Sequence, residues 1–329
     1  MVNRSTAALP DGSQPLRRDA AAWELVPPPP RADLGGAEAY CRAVARRHYE
    51  NFTVATRLVP GRLRQHLANV YAFARWSDDL ADEQLDPSRA AAGLAEWRRG
   101  LEECFAGRPG HPIYVALAET ARRTGVTIEP FAALLDAFEE DAALDATGAG
   151  VRYADRVALA AYCHRSADPV GRIVLALEGC GDAERVAMSD AICTGLQLVN
   201  FWQDIRRDRH AGRIYLPGDD LARHGVTVDM LDLAAAPAAL RSLVHDEVAW
   251  ARERFCAGAP LAETAPPVLR PAIGMFLAGG RAVADAIEEA GYDTLSRRPT
   301  VGRLKKLSLA ARAWWRLTRV SWHGRGGRP

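Results

Sequence analysis

Two short acidic segments carry the residues whose types and spacing could do chemistry. In Tyr71-Ala72-Phe73-Ala74-Arg75-Trp76-Ser77-Asp78-Asp79-Leu80-Ala81-Asp82-Glu83, Asp78 and Asp82 are four residues apart, so on a helix they stand one above the other. In Leu196-Gln197-Leu198-Val199-Asn200-Phe201-Trp202-Gln203-Asp204-Ile205-Arg206-Arg207-Asp208, the residues Asn200, Asp204 and Asp208 repeat that spacing, and Gln197 lies a turn earlier. Like charges stacked on one helical face repel unless a cation occupies the gap. Hard oxygen donors on two separate helices suit Mg2+, which takes one or two carboxylates per ion and completes its shell with water and phosphate oxygens. With a diphosphate bound, such ions act as Lewis acids on the leaving group, and no protein nucleophile is needed. A solvated acidic helix end also accounts for the first segment. A core hydrogen-bond network also accounts for the second, whose Leu, Val, Phe, Trp and Ile flanks leave unpaired amides and carboxylates costly.

The elements that must position these residues read as helices. From about Gly35 onward the chain is rich in Ala, Leu, Arg and Glu, and its apolar residues recur at three- and four-residue spacing. The pattern predicts helices over 36–57, 63–83, 88–106, 112–124, 128–145, 155–179, 183–208, 239–257, 267–290 and 302–318. Pro60-Gly61, Pro87, Arg108-Pro109-Gly110 and Pro266-Pro267 punctuate them. No alternating-period strands intervene and no repeat of fixed period occurs, which disfavours a doubly wound sheet or a solenoid. The fold class expected is therefore all-α. Its domain layout is a Pro-rich, unpacked tail over 1–34 ending in Pro27 to Pro30, one helical domain over 35–318, and a basic tail over 319–329.

With 42 Lys+Arg against 41 Asp+Glu, global charge gives no reason to expect a nucleic-acid partner. Cys41, Cys104, Cys163, Cys180, Cys193 and Cys256 form no C-x-x-C pair, the pattern of small buried hydrophobes in a reducing, cytoplasmic compartment. No stretch approaches the roughly 18 apolar residues a spanning helix needs, and the N-terminus lacks an apolar signal core.

The two acidic motifs in order, with Gly212-Arg213-Ile214-Tyr215-Leu216-Pro217 after the second, resemble the aspartate-rich regions of the squalene/phytoene synthase family, the head-to-head trans-prenyl synthases. Asn51-Phe52, Tyr162-Cys163 and Pro169-Val170-Gly171 fall in family order too, so the resemblance runs from about Tyr40 to Trp315. It implies an isoprenoid synthase-type helical bundle around a central cleft. It also implies Asp78, Asp82, Asp204 and Asp208 as catalytic metal-binding carboxylates, with Asn200 as a further metal or substrate ligand and Gln197 supporting substrate. Asp79 points about 100° away and is the weaker candidate. Arg75 matches a diphosphate-binding arginine, or pairs within its helix with Asp79. Tyr71 and Phe52 match aromatic positions where a ring face stabilises a passing carbocation, and both also suit plain core packing. Arg281 and Arg298 fall near diphosphate-contacting positions.

Asn51-Phe52-Thr53-Val54-Ala55, Ser166-Ala167-Asp168-Pro169-Val170-Gly171-Arg172 and Asn200-Phe201-Trp202-Gln203-Asp204 are most similar to the hopanoid-pathway subgroup that acts as hydroxysqualene synthase. That resemblance implies presqualene diphosphate as substrate, ionised with Mg2+ and captured by water without NADPH. Gln203 stands where phytoene synthases more often place arginine, and Glu50 would repel a second diphosphate. Condensation of two farnesyl diphosphates, phytoene synthesis and a non-catalytic helical scaffold are the alternatives, and a di-iron bundle lacks its E-x-x-H pairs. No G-x-G-x-x-G fingerprint appears, though the reductive relatives are helical and lack one as well. Asp168, an acid among small residues, could orient a water or simply hydrate a helix end. After Asp293 no acid follows, and Arg303, Lys305, Lys306, Arg312 and Arg316 interleave with Trp314 and Trp315. Such a helix suits peripheral contact with an anionic membrane or packing on the core, with enzymes of the same pathway as further partners.

Overall fold

The computed structural model describes residues 33–47, 61–82, 87–148 and 150–302, with Asp82, Pro87 and Ser88 described by their backbone alone. Phe52, the Glu50 segment, the Pro-rich tail and the basic stretch from Arg303 onward lie outside the described residues.

Helices follow one another as α1 (Leu34–Arg47), α2 (Gly61–Asp82), α3 (Pro87–Phe105), α4 (Pro112–Thr124), α5 (Glu129–Thr147), α6 (Arg156–Ser166), α7 (Asp168–Leu177), α8 (Ala183–His210), α9 (Gly218–Arg223), α10 (Ala238–Gly258), α11 (Leu261–Thr264) and α12 (Arg270–Glu289). A 3₁₀ turn covers Val228–Asp232. Among the described residues the only β pairing is one parallel bridge, Val151 to Ile214, so the expected all-α class holds.

Boundaries follow capping chemistry. The Asp155 carboxylate accepts from the Ala158 amide at 2.8 Å to open α6, and Asp182 accepts from Arg185 at 3.1 Å to open α8. His111 Nδ1 accepts from the Ile113 amide at the start of α4, where Pro112 needs no donor. The single helix expected over 155–179 is two. Pro169 has no amide hydrogen to continue α6, and Ala167 takes φ −114°, so the chain turns and restarts as α7. The short α9, α11 and 3₁₀ turn escaped the sequence pattern because four to six residues are too few to show a helical period.

Packing divides around the acidic helices. α2 rests on α1, α3, α4 and α5, where Phe73 meets Phe131 edge-on at 5.4 Å and Trp97 at 6.0 Å. α8 rests on α7, α10 and α12. There Phe255 of α10 reaches so close to α8 and α12 that a Cβ on Gly195 or Gly280 would lie 2.8 or 2.4 Å from its ring. Fully buried, that ring contributes on the order of 2–3 kcal/mol. α7 touches both α2 and α8. No helix among the described residues is long and apolar enough to cross a membrane.

Candidate active site

An apolar cavity separates α2 from α8. Leu67 of α2 faces Ser189, Ile192, Cys193 and Leu196 of α8 across it, with Val170, Gly171 and Val174 of α7 closing one side and Ala272, Ile273 and Phe276 of α12 the other. No carboxylate lines it. Gly171 lets α7 and α8 close there, since a Cβ would stand 2.2 Å from Ser189 Oγ and 2.7 Å from Cys193 Sγ.

The two acidic helices run in the same direction past this cavity. Arg62, at the start of α2, donates to both Glu178 oxygens at 2.9 and 2.7 Å, and Glu178 leads into the start of α8. Asp78 lies eleven residues beyond Leu67, and Asp204 eleven beyond Cys193. At about 1.5 Å of rise per residue, both carboxylates stand about 16 Å further along, toward the same end of the bundle. On α2 the row reads Leu67, Tyr71, Arg75, Asp78, Asp82, and on α8 it reads Cys193, Gln197, Asn200, Asp204, Asp208. Each helix thus passes from apolar to polar to acidic along one face.

On α2 the charge is balanced within the helix. Arg75 donates to Asp78 at 3.0 Å and pairs with Asp79 one position on. Asp79 is 3% exposed, Asp78 38%. Burial alone would lower the Arg75 pKa, but the Asp79 and Asp78 carboxylates outweigh it and raise it. The intrahelical pair expected as one alternative for Arg75 therefore forms, and it leaves Asp78 open to solvent. Tyr71 is half-buried one turn earlier.

On α8 the balancing charge comes from far along the chain. Arg298 forks onto Asp204, with Nη2 donating to Oδ2 at 3.0 Å and Nε to Oδ1, and its pKa rises chiefly through that bond. Burial pushes the Asp208 carboxyl up to about 7, and the Asp204 charge adds to this against Arg213, Arg207 and Arg152. Such a stacked carboxylate pair is relieved by a hard cation, so the donor set fits Mg2+. Asn200 is exposed and Gln197 half-buried, so the buried amide of this helix is Gln203 rather than either of them. Arg281 is not gathered here. It donates to the Phe255 carbonyl at 3.3 Å, at the level of Gly195.

Beside Asp208 lies a group in which Arg152 and Asp141 carried no sequence signal and Tyr162 and Tyr215 stood only in motifs with no role attached. The Val151 to Ile214 bridge brings Arg152 beneath this end of α8, where it donates to Asp141 at 2.9 Å and lies 5.5 Å over the Tyr215 ring. Tyr162 donates to the other Asp141 oxygen at 2.7 Å, and Tyr215 stacks on Phe201 at 3.9 Å. No local spacing announces this group, because it is assembled from α5, α6, α8 and the two segments of the bridge.

Among the described residues, the tight cluster of metal-type ligand atoms is elsewhere, at His164, Asp168 and Asp190. Arg172 already supplies its cation, donating to both Asp190 oxygens at 2.9 and 2.7 Å. Asp168 is 3% exposed, accepts from Thr194 at 2.9 Å and lies 3.1 Å from His164 Nδ1. Its carboxyl is pushed up to about 7 by burial and then by Asp190. Helix-end hydration is therefore not its state, and it is not among the residues lining the cavity.

Known proteins are similar to this chain in sequence and in fold. Residues 45–305 match the family model for squalene/phytoene synthase. Phytoene synthase 3, chloroplastic, of Zea mays is 30% identical over 89% of this chain and 68% of its own length. Presqualene diphosphate synthase of Rhodopseudomonas palustris is 32% identical over 63% of this chain and 72% of its own. Among solved structures, squalene synthase HpnC from Alicyclobacillus acidocaldarius superposes with a TM-score of 0.74 at 39% identity, covering 79% of this chain and 95% of that one. A dehydrosqualene synthase in complex with ligand gives 0.75 at 25% identity over 87% and 98%. The chain with two acidic helices flanking an apolar cavity belongs to the squalene/phytoene synthase family.

Proposed function

We infer that this enzyme ionises presqualene diphosphate with Mg2+ and lets water capture the rearranged cation, giving hydroxysqualene and diphosphate. The observation that carries the reading is the shared polarity of α2 and α8, acidic at one end and bordering one apolar cavity further down. From Asn200 to Ser189 the α8 row drops eleven residues, about 16 Å at the helical rise, a depth suited to chains of farnesyl size.

Asp78, Asp82, Asp204 and Asp208 are the residues that would hold the metal, with Asn200 beside them. Mg2+ bound there supplies charge neutralisation to the departing diphosphate. Arg75 and Arg298 offer guanidinium donors to its oxygens, a role their planar, multi-donor heads suit. The carbon–oxygen bond breaks with its electron pair on the diphosphate. Gln197 orients the chain below, and Tyr71 presents a ring face to the cation, worth roughly 1–2 kcal/mol; Phe52 is assigned the same role on resemblance alone. The apolar walls of α7, α8 and α12 exclude bulk water until the rearranged cation takes up one water oxygen and releases a proton. No hydride donor enters that sequence. Arg281, turned toward Phe255, would reach the diphosphate only by leaving that carbonyl.

The similarity to HpnC supports the C30 reading, while the similarity to phytoene synthases favours condensation of two longer allylic diphosphates as the second one. Incubation of purified protein and Mg2+ with presqualene, farnesyl or geranylgeranyl diphosphate, without NADPH, separates them by mass spectrometry. Hydroxysqualene from the first substrate alone is expected. Phytoene from the third would replace this reading with the second, and presqualene diphosphate from farnesyl diphosphate would make the protein a condensing synthase.

A further inference from the structure

The segment after α12 returns across α8 and is fastened twice. At the first point the Asp293 carboxylate accepts from the amides of Ala236, Leu295 and Ser296, each at 3.0 to 3.1 Å, and from Arg241 at 3.1 Å. At the second, Gln203 holds both residues of Arg298-Pro299. Its Oε1 accepts from Arg298 Nη2 at 2.8 Å and its Nε2 donates to the Pro299 carbonyl. Gln203 is 6% exposed and lies immediately before Asp204, whereas Arg298 is half exposed.

The shared atom is Nη2, which bonds Gln203 and Asp204 at once. An Asp204 carboxylate recruited by a metal would let go of the fork, and a half-exposed arginine freed in that way would swing into solvent. Gln203 is placed to prevent this, because its bond to Nη2 and its bond to the Pro299 carbonyl do not involve Asp204. The guanidinium then keeps its place with Nε and its remaining donors turned free for an anion. Ordering is already present before the ligand arrives, which is how a preorganised donor raises affinity.

We propose that Gln203 is a positioning residue: it tethers Arg298 beside Asp204, so that the guanidinium passes from the Asp204 carboxylate to a diphosphate group without leaving the site. This rests on the functional reading above, in which a metal-bound diphosphate occupies that end of α8.

The test uses the full-length protein and inorganic diphosphate with Mg2+, measured by titration calorimetry on wild type, Gln203→Met, Arg298→Ala and the double variant. Methionine fills nearly the same buried volume without either polar bond, so the fold is kept, and thermal melts verify it. Each single variant should bind diphosphate about tenfold more weakly, the double variant no more weakly than Arg298→Ala alone, since both remove one coupled contact. In steady state, Gln203→Met should raise KM for the prenyl diphosphate more than it lowers kcat. Wild-type affinity in Gln203→Met, losses that multiply in the double variant, or a wild type that binds no diphosphate would each overturn the tether. A wild type that binds Mg2+ and diphosphate but converts no prenyl substrate would sink the functional reading while the binding cycle still decides the role of Gln203.

Discussion

The α2 and α8 halves present the same carboxylate spacing to the same end of the bundle but balance its charge in opposite ways. On α2 the cation is Arg75, three and four residues from the two acids it bonds. On α8 it is Arg298, ninety-four residues from Asp204. A local cation is fixed by the helix itself and stays when the ligand comes. A distant one can be exchanged, because the segment that carries it is fastened independently at Asp293 and Gln203. The difference assigns α2 a standing charge arrangement and α8 an exchangeable one.

Removing one carboxylate from either acidic row should have the largest effect. Asp78→Asn and Asp204→Asn should each slow diphosphate release by about a thousandfold, roughly 4 kcal/mol of barrier, while circular dichroism shows an intact fold. The double variant should lose little more than either single one, because both act on one departing group. Multiplying losses would show two independent sites and break the comparison.

Next in size is the contrast between the two arginines. Arg75→Ala removes the ion pair Arg75 makes with Asp79, 3% exposed, and should cost about 3 kcal/mol of stability, read as a lower denaturation midpoint. Arg298→Ala removes a half-exposed cation but leaves the Gln203 Oε1 without that donor, and should cost about 1 kcal/mol. Equal destabilisation by the two would erase the distinction between a standing and an exchangeable cation.

The smallest effect is on pH. Glu247 of α10 is fully buried behind α8, where its carbonyl accepts from Trp202 Nε1 at 3.1 Å. Burial pushes its carboxyl up to about 7 against the Arg156 guanidinium. A folded-state value above the ordinary one means that its contribution is full below about pH 4 and is lost as pH rises through about 7. Thermal stability should therefore fall by a few degrees across that window, and Glu247→Gln should remove part of the fall, Asp168 and Asp208 contributing the rest. Hydrogen exchange should show the loosening in the α8 half, and a loosening centred on α2 would contradict that placement.

How far the site was legible in sequence follows from the same contrast. The α2 row, Arg75 included, was readable because every member lies within a few turns of one helix. The α8 row was readable for the same reason, and its Gln203 stood out as a departure without revealing what it bonds. Arg298 was expected near a diphosphate on resemblance alone. Its fork onto Asp204 and its bond to Gln203 depend on a chain reversal after α12 that no periodicity encodes. Arg152 and Asp141 stayed hidden, and Tyr162 stood only in a motif with no role attached, since a single bridge at Ile214 gathers their group from separate helices. The break at Ala167 was missed although Pro169 signals it, because the apolar pattern continues across the turn. Of the two roles open to Asp168, helix-end hydration fell for a related reason: its partners Thr194 and His164 sit on neighbouring helices.

The most direct measurement follows diphosphate release from presqualene diphosphate by the purified wild-type protein as Mg2+ is titrated in and then removed with a chelator. Release that appears with Mg2+, disappears with the chelator and is absent in Asp204→Asn is the expected result. Release that ignores the chelator, or persists in both Asp78→Asn and Asp204→Asn, would contradict ionisation between the two acidic helices.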